Sequence, residues 1–242
     1  MQWNYADIYE AIAHAMPDVP CQVQGDRSVT WGEFDRHSNA VANALIADGL
    51  RPETKVAVYL RNCPEFLEIY VACFKASLIP ANVNYRYEHD ELVHVLSNSD
   101  AEAVFFDASY LPLVTRLRDV LPKLRRFIVV GEAGPLPAWA EAYDAVIAGN
   151  SSAKPAIERS GEDPLLLYTG GTTGLPKGVI WQQDDVIQAL GTGGNFYLGE
   201  PPCADIAEIL RRLDHSGKRI YVACPLMHAT GLFTSLTLMN VG

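Results

Sequence analysis

Long apolar runs are missing from this 242-residue chain, and so is an N-terminal leader pattern. A membrane-spanning helix needs about 20 predominantly apolar residues in a row. The most hydrophobic stretch, residues 226–241, is interrupted by His228, Gly231 and several threonines. The first sixteen residues lack the basic segment followed by an apolar one that a secretory signal requires. These absences predict a soluble, cytoplasmic protein without a membrane span.

Positive charge is also scarce. The 19 lysines and arginines face 29 aspartates and glutamates, which gives a formal net charge of −10 at pH 7. Such a chain would repel a phosphate backbone, so we expect no nucleic-acid partner. The five cysteines are odd in number, and no two have the C-x-x-C spacing of redox or metal sites. We expect them to be reduced thiols without a shared function.

An alternation of short apolar runs and helical patterns is the main signal of the fold. Thr30 and Glu33 form a capping-box pattern, which predicts a helix over about 31–48 that ends at Gly49. The apolar runs are 55–60, 78–83, 103–106, 127–130 and 165–168, and the helical patterns between the earlier ones are 64–76, 88–97 and 111–121. Continuous apolar strands are typical of parallel sheets covered on both faces. We therefore expect an α/β fold with a doubly wound, mainly parallel sheet flanked by helices. Further along, the patterns predict a helix over 138–148, an irregular loop over 191–204, a short helix over 205–213 and a strand over 219–223.

The clearest functional signal is the segment 165–179, LLLYTGGTTGLPKGV. Its apolar strand is followed by Gly170, Gly171 and Gly174, where positive φ angles would let the backbone approach a ligand. Successive backbone N–H groups, threonine hydroxyls and the Lys177 ammonium would together bind a polyphosphate. A Walker A loop is excluded because Lys177 leads into a β-type run, and the dinucleotide fingerprint is absent as well. The alternative without function is a plain hairpin that carries a lysine.

Two segments resemble those of a known family. Tyr168–Gly178 is similar to the phosphate-binding signature of adenylate-forming enzymes, which include acyl-CoA synthetases, adenylation domains of peptide synthetases and luciferases. The usual form of the signature has serine at the position of Gly170, whereas glycine is familiar there among fatty-acid and steroid-acid CoA ligases. Pro225–Gly231, PLMHATG, resembles the family's P-L-x-H-x-x-G segment beside the carboxylate pocket. The stretches Thr30–Leu50 and Pro80–Arg86 are also placed as the family places them.

The resemblance implies a two-step ligase. ATP and a carboxylic acid would form an acyl-adenylate and pyrophosphate, and the thiol of coenzyme A would then displace AMP. His228 is implied at the acyl carboxylate, with a core histidine as the alternative, and Lys177 and His228 are the implied catalytic residues. Thr172 is implied at Mg²⁺. The residues implied at the β- and γ-phosphates are Thr169, Gly170, Gly171, Thr172, Thr173, Gly174 and Lys177.

The family's later motifs do not occur after residue 231: an adenine-contacting Y-G-x-T-E, a ribose-binding aspartate, a hinge and a C-terminal lysine. The resemblance therefore implies the first part of a larger enzyme, which alone would bind ATP weakly and be inactive. It divides the chain into a subdomain over about 50–190, with the phosphate loop, and a second, incomplete sheet subdomain formed by 1–49 and about 218–242. The alternatives are a fatty-acyl-AMP ligase that loads a carrier protein and a non-catalytic nucleotide-binding module. The oligomeric state is open, with a homodimer as one option.

The absence of an acidic residue just after Leu226 narrows the class of carboxylic acid expected as the substrate. Amino-acid-activating relatives carry an aspartate shortly after the position of Leu226, whereas Met227, His228 and Ala229 offer no anion. An unpaired ammonium there would cost on the order of 2–5 kcal/mol. We therefore expect a hydrophobic carboxylic acid, in keeping with the apolar neighbours Leu226, Leu232, Phe233 and Leu236.

Two polar clusters have simpler interpretations. Glu88–His94, EHDELVH, lacks the H-E-x-x-H spacing, so we expect a solvated helix start rather than a metal site. A basic cluster is expected to be a solvated helix end rather than an anion site: Arg116, Arg118, Lys123, Arg125 and Arg126. Trp3 and Tyr5 fit either a docking segment or the core.

Overall fold

A seven-stranded sheet forms the centre of the computed structural model, which describes residues 2–170, 174–192, 200–213 and 219–242. The strands are β1 (Pro20–Gln24), β2 (Arg27–Thr30), β3 (Lys55–Tyr59), β4 (Ile79–Asn82), β5 (Ala101–Asp107), β6 (Arg126–Val130), β7 (Ala140–Ala142), β8 (Pro164–Thr169) and β9 (Lys177–Gln182). β1 and β2 form a separate antiparallel hairpin. The other strands lie in the order β7-β6-β5-β3-β4-β8-β9, all parallel to their neighbours except β9, which is antiparallel to β8. The predicted α/β fold with a mainly parallel sheet is confirmed.

Helices cover both faces of this sheet. They are α1 (Tyr5–Ala15), α2 (Trp31–Ala47), α3 (Pro64–Lys75), α4 (His89–Asn98), α5 (Leu111–Leu117), α6 (Tyr143–Gly149), α7 (Gln183–Ala189), α8 (Ile206–Arg212) and α9 (Ala229–Met239). One buried cluster lies between the sheet and α4 and α5. The other lies on the opposite face and joins the sheet to the remaining helices. Because the sheet is doubly wound, the carboxyl ends of its parallel strands meet along one edge, where such folds bind ligands.

Local signals at α2 and α3 are confirmed. The Glu33 backbone N–H donates to the Thr30 hydroxyl at 3.2 Å, and the Thr30 N–H donates to the Glu33 carboxylate at 2.8 Å. Gly49 has a φ of +79°, the left-handed conformation that ends a helix. Pro64 occupies the first helical position of α3, where a missing N–H costs nothing. These predictions succeeded because each depends on residues that are close in sequence.

Three element predictions were wrong or imprecise. Residues 219–223 form no strand, because no neighbouring strand pairs with them in the part of the chain that the structure describes. The helix expected at 138–148 begins only at Tyr143, because residues 140–142 pair with β6 as strand β7. The helix expected at 111–121 changes at Arg118 into a short 3₁₀ turn. The loop over 191–204 is irregular at residues 191–192 and 200–204, and its centre lies outside the described residues.

The N-terminal segment belongs to the core. Trp3 is 6% exposed and Tyr5 is fully buried, which decides between core and docking segment. α1 and α2 both pack against α3, within the buried cluster that also includes the sheet. The division of the chain into two subdomains stays a prediction.

An ion-pair network joins α1, α2 and α3. The Lys75 ammonium, whose side chain is fully buried, lies 2.5 Å from Asp35 Oδ1 and 3.7 Å from Glu10 Oε1. Arg159 donates two hydrogen bonds to Glu10, at 2.7 and 2.9 Å. Burial opposes ionisation of Glu10, but hydrogen bonds from Arg159 and Lys154 outweigh it and lower the pKa of the carboxyl group to about 2. The network therefore stabilises Glu10 as a carboxylate inside the helical layer.

The side chains of the basic cluster and of the helix predicted at 88–97 make ordinary surface contacts. Lys123, Arg125 and Arg126 form ion pairs with Asp100, Glu102, Asp48 and Glu141, and Arg118 lies over the ring of Trp139. Glu88 and Glu91 form a capping box at the start of α4.

Each cysteine is a free thiol. Among the described residues, none of the helices combines the length and apolar character needed to cross a membrane.

Candidate functional site

The strands β8 and β9 form a hairpin whose open end carries Thr169 and Lys177. These two residues are directly opposite each other in the antiparallel ladder, and both are exposed. Opposite residues in such a ladder have Cβ atoms about 5 Å apart, so the two side chains start from neighbouring positions. The β-type run predicted after Lys177 is confirmed by β9. The residues Gly171, Thr172 and Thr173 lie outside the described residues, so their predicted roles stay predictions.

Gly170 does not have the positive φ angle that the sequence predicted. It directly follows the extended strand β8, and Gly174 lies in a bend before Leu175. Among the described residues, a Cβ atom added at either glycine would meet no atom within 4 Å. The described part of the packing therefore does not require glycine at these two positions.

Gly178, by contrast, is closely packed within the hairpin. Its cross-strand neighbour is Tyr168, and a Cβ atom at Gly178 would lie 3.1 Å from the Tyr168 ring and 2.9 Å from Leu166 Cδ1. The Tyr168 hydroxyl donates to Asn98 Oδ1 at 2.7 Å, which fixes the ring across the hairpin. Burial raises the pKa of this hydroxyl, so it stays a donor. Gly178 thus gives Tyr168 the space to anchor the end of β8.

His94 contacts the residue that precedes β9. Its Nε2 lies 2.9 Å from the carbonyl oxygen of Pro176, the residue before Lys177. A carbonyl oxygen only accepts, so this ring nitrogen must carry the proton. Pro176 is itself buried. The sequence pattern predicted a solvated helix start around His94 and gave no sign of this contact, which joins residues 82 positions apart.

The second predicted segment ends in the first turn of α9. His228 is the exposed N-cap residue of this helix, and its backbone carbonyl accepts from Leu232 N at 3.0 Å. Gly231 is buried against the preceding turn, where an added Cβ atom would lie 2.3 Å from the Pro225 carbonyl oxygen. The glycine of the motif therefore allows α9 to start directly against the backbone of residues 224–225.

Two asparagines connect these segments to the carboxyl ends of the parallel strands. Asn82, the last residue of β4, accepts from Tyr168 N at 2.6 Å and donates to the backbone carbonyls of Tyr168 and Met227. Asn62, three residues after β3, accepts from Leu226 N at 2.8 Å. The hairpin with Lys177 and the segment with His228 are thus held at the same edge of the sheet. Neither asparagine was predicted as a site residue, although Asn82 ends an apolar strand and Asn62 follows one closely.

The apolar neighbours of His228 mostly belong to the core. Leu226, Leu232 and Leu236 are buried in the cluster on the face of α1 to α3. Phe233 is half-buried and packs edge-on against Trp181, with ring centroids 5.7 Å apart. These leucines therefore stabilise α9 and do not by themselves describe a substrate pocket.

A family model described as AMP-binding enzyme matches residues 9–242, nearly the whole chain. The chain belongs to the AMP-binding enzyme family. Two sequence relatives are a medium-chain acyl-CoA ligase, Mig, from Mycobacterium avium, and a 3-oxocholest-4-en-26-oate–CoA ligase from Rhodococcus rhodochrous. They are 33% and 36% identical to this chain, over 97% and 83% of its length.

These relatives are longer than the chain. The matches cover 46% of the M. avium ligase and 37% of the R. rhodochrous ligase, so the chain spans less than half of either. The inhibitor-bound N-terminal domain of FACL13 from Mycobacterium tuberculosis has the same fold, with a TM-score of 0.76 and 20% identity over the whole chain and 56% of that domain. The resemblance to the N-terminal portion of fatty-acid and steroid-acid CoA ligases in this AMP-binding family is confirmed.

Proposed function

We propose that the chain forms part of a site where ATP activates a hydrophobic carboxylic acid as an acyl-adenylate, which then reacts with the thiol of coenzyme A. The observation that carries this proposal is the juxtaposition at one sheet edge. The hairpin with Thr169 and Lys177 and the segment with His228 are joined there through the buried amide of Asn82. A site that activates a carboxylate needs its phosphate-binding and carboxylate-binding groups side by side.

The triphosphate is proposed to bind at the end of the hairpin. An exposed hydroxyl and an exposed ammonium, from Thr169 and Lys177, suit phosphate oxygens. Negative charge grows on the pyrophosphate as it leaves, so donors held at this position would favour the transition state over the ground state. No atom of the described residues would meet a Cβ atom at Gly170 or Gly174, which supports a role for these glycines in contact with a ligand.

The residues 171–173 are proposed to complete this site. Their backbone N–H groups and the hydroxyls of Thr172 and Thr173 would add phosphate donors. Thr172 is also the proposed protein ligand of Mg²⁺, which when bound neutralises charge on the phosphates. The hydroxyl oxygen is a suitable hard ligand for this ion.

The carboxylate of the acid is proposed to lie at His228. The imidazole is exposed at the start of an eleven-residue helix, where the helix dipole favours a negative charge. A ring N–H donated to the carboxylate would orient it toward the phosphates. The relatives are named as ligases of medium-chain and steroid acids, which supports a hydrophobic acid and coenzyme A as the substrates.

Replacing Lys177 by alanine is expected to weaken ATP binding roughly tenfold or more, because a hydrogen bond to a charged group contributes about 1.5–3 kcal/mol. Isothermal titration calorimetry with ATP and Mg²⁺ measures the effect. Lys123→Ala is the matched control: it removes the same charge from a side chain that is 66% exposed and pairs with Asp100. Its affinity for ATP should stay within twofold of the wild-type value. Equal affinities for all three proteins would contradict the role of Lys177.

The proposed acid is tested with a matched pair of ligands. In the presence of ATP, octanoate is expected to bind at least roughly 30-fold more tightly than 2-aminooctanoate, because the α-ammonium finds no anion at Met227–Ala229 and costs at least about 2 kcal/mol. Competition calorimetry compares the two ligands at one pH. Tighter binding of the amino acid would exclude the hydrophobic-acid proposal while leaving the ATP site untouched.

A further inference from the structure

Where β4 and β8 separate, hydrogen bonds from the Asn82 side chain replace those of the backbone ladder. β4 and β8 share a single registered pair, Ala81 with Leu166. One residue further, the Asn82 side chain takes over: its Oδ1 accepts from Tyr168 N at 2.6 Å, and its Nδ2 donates to Tyr168 O at 3.2 Å. The side chain thus pairs with both backbone polar groups of the residue that precedes Thr169.

The same amide also reaches the segment with His228. Its Nδ2 donates to the carbonyl oxygen of Met227, the residue before His228. An amide has two N–H donors, and here each has a carbonyl partner. Asn82 is only 2% exposed, so water does not compete for these bonds. The Tyr85 N–H adds a further contact to Met227 Sδ at 3.4 Å. One rigid side chain therefore connects two segments that lie 59 residues apart in sequence.

We infer that Asn82 is a positioning residue that holds the end of β8, which carries Thr169, and the histidine segment, residues 224–228, in a fixed relative geometry. This inference rests on the proposed function. If the phosphates bind beside Thr169 and the carboxylate beside His228, the distance between the reacting atoms depends on how β8 and residues 224–228 are spaced. Small errors in such a distance are costly for a reaction between two bound groups. Asn82 touches the backbone immediately before both groups and therefore sets this spacing.

Asn62 provides a natural comparison. It donates to Cys224 O at 3.3 Å and accepts from Leu226 N at 2.8 Å, so both of its partners lie in the histidine segment. Among the described residues, its hydrogen bonds include none to the phosphate loop or to β8. Loss of Asn62 should loosen one segment, whereas loss of Asn82 should loosen both.

The test compares Asn82→Ala, Asn62→Ala and Asn43→Ala by hydrogen–deuterium exchange and ATP calorimetry. Asn43 donates to Ser151 O and Ala153 O, far along the chain from either segment, and controls for the loss of an amide that bridges two carbonyls. We expect Asn82→Ala to exchange faster at both 165–170 and 224–232, and to bind ATP about tenfold more weakly. Asn62→Ala should exchange faster only at 224–232, and Asn43→Ala should exchange faster at neither segment. The affinity for ATP should be unchanged in both variants.

Three outcomes overturn the inference. If Asn82→Ala exchanges faster at β8 alone, the Asn82 amide stabilises only the pairing of β4 with β8 and does not couple the two segments. If wild type and Asn82→Ala bind ATP equally, Asn82 has no positioning role and the proposed ATP site stands. If wild type binds no ATP, the proposed function fails and the positioning role fails with it, whatever the exchange pattern. Should Asn82→Ala not fold, as judged by circular dichroism, Asn82→Ser keeps one donor and one acceptor and is compared in the same way.

Discussion

The Lys75→Met variant is expected to lose about 3–5 kcal/mol of unfolding free energy, because it breaks a buried ion pair and removes the donor that Asp35 Oδ1 and Asn39 Oδ1 share. The Lys75 ammonium lies 2.5 Å from Asp35 Oδ1 and 2.6 Å from Asn39 Oδ1, and its side chain is fully buried. Methionine has a similar volume, so the loss measures the missing charge and hydrogen bonds rather than a cavity. Denaturation in urea, with m-values compared, gives the free energy.

Lys154→Met is the matched control for this experiment. Lys154 also pairs with Glu10, at 2.7 Å, but its side chain is 60% exposed. Exposed ion pairs contribute about 0–1 kcal/mol, so this variant should unfold close to the wild-type midpoint. Equal losses in the two variants would show that burial of Lys75 is not what makes its pairing strong.

The Gly231→Ala variant is expected to lose about 3 kcal/mol, because one methyl group meets the backbone of the preceding turn. The added Cβ atom would lie 2.3 Å from the Pro225 carbonyl oxygen, 2.7 Å from the Pro225 carbonyl carbon and 2.8 Å from the Cys224 carbonyl oxygen. No side-chain rotation relieves these contacts, so the start of α9 must move, at the cost of overpacking. Urea denaturation measures the loss, and faster hydrogen exchange at 224–239 should accompany it.

Gly149→Ala is the control for glycine replacement as such. Gly149 is the last residue of α6, and a Cβ atom there meets nothing within 4 Å. Alanine is the better helix former, so this variant should match or slightly exceed wild-type stability, by up to about 1 kcal/mol. A Gly231→Ala protein within 0.5 kcal/mol of wild type would mean that α9 can shift freely, and the close approach would not explain the glycine.

The glycines of the two motif segments have different surroundings. Gly178 and Gly231 are closely packed, because Tyr168 and the Pro225 backbone approach the space of a side chain. Gly170 and Gly174 have no such neighbours among the described residues. A motif glycine that the protein's own packing does not explain is a candidate for ligand contact, and this distinction could not be read from the sequence pattern.

The elements that the sequence predicted are those whose cause is local. The capping box of Thr30 and Glu33, the first-turn proline of α3 and the turn at Gly49 each involve residues within a few positions of one another. The alternation of apolar runs and helical patterns was enough for the parallel sheet, because strands covered on both faces must be apolar throughout. The strand expected at 219–223 failed for the opposite reason: an apolar run is a strand only if another strand pairs with it.

The amino-acid sequence by itself determined the class of fold, most of its strands and helices, and the two segments that resemble adenylate-forming enzymes. Only the tertiary structure decided how these segments meet. Asn82 bonds to residues 86 and 145 positions away, and His94 to one 82 positions away. Buried Lys75 likewise depends on α1 and α2 folding over it. Local patterns carry no information about such pairs, because each partner is an ordinary polar residue until the sheet brings the strand ends together.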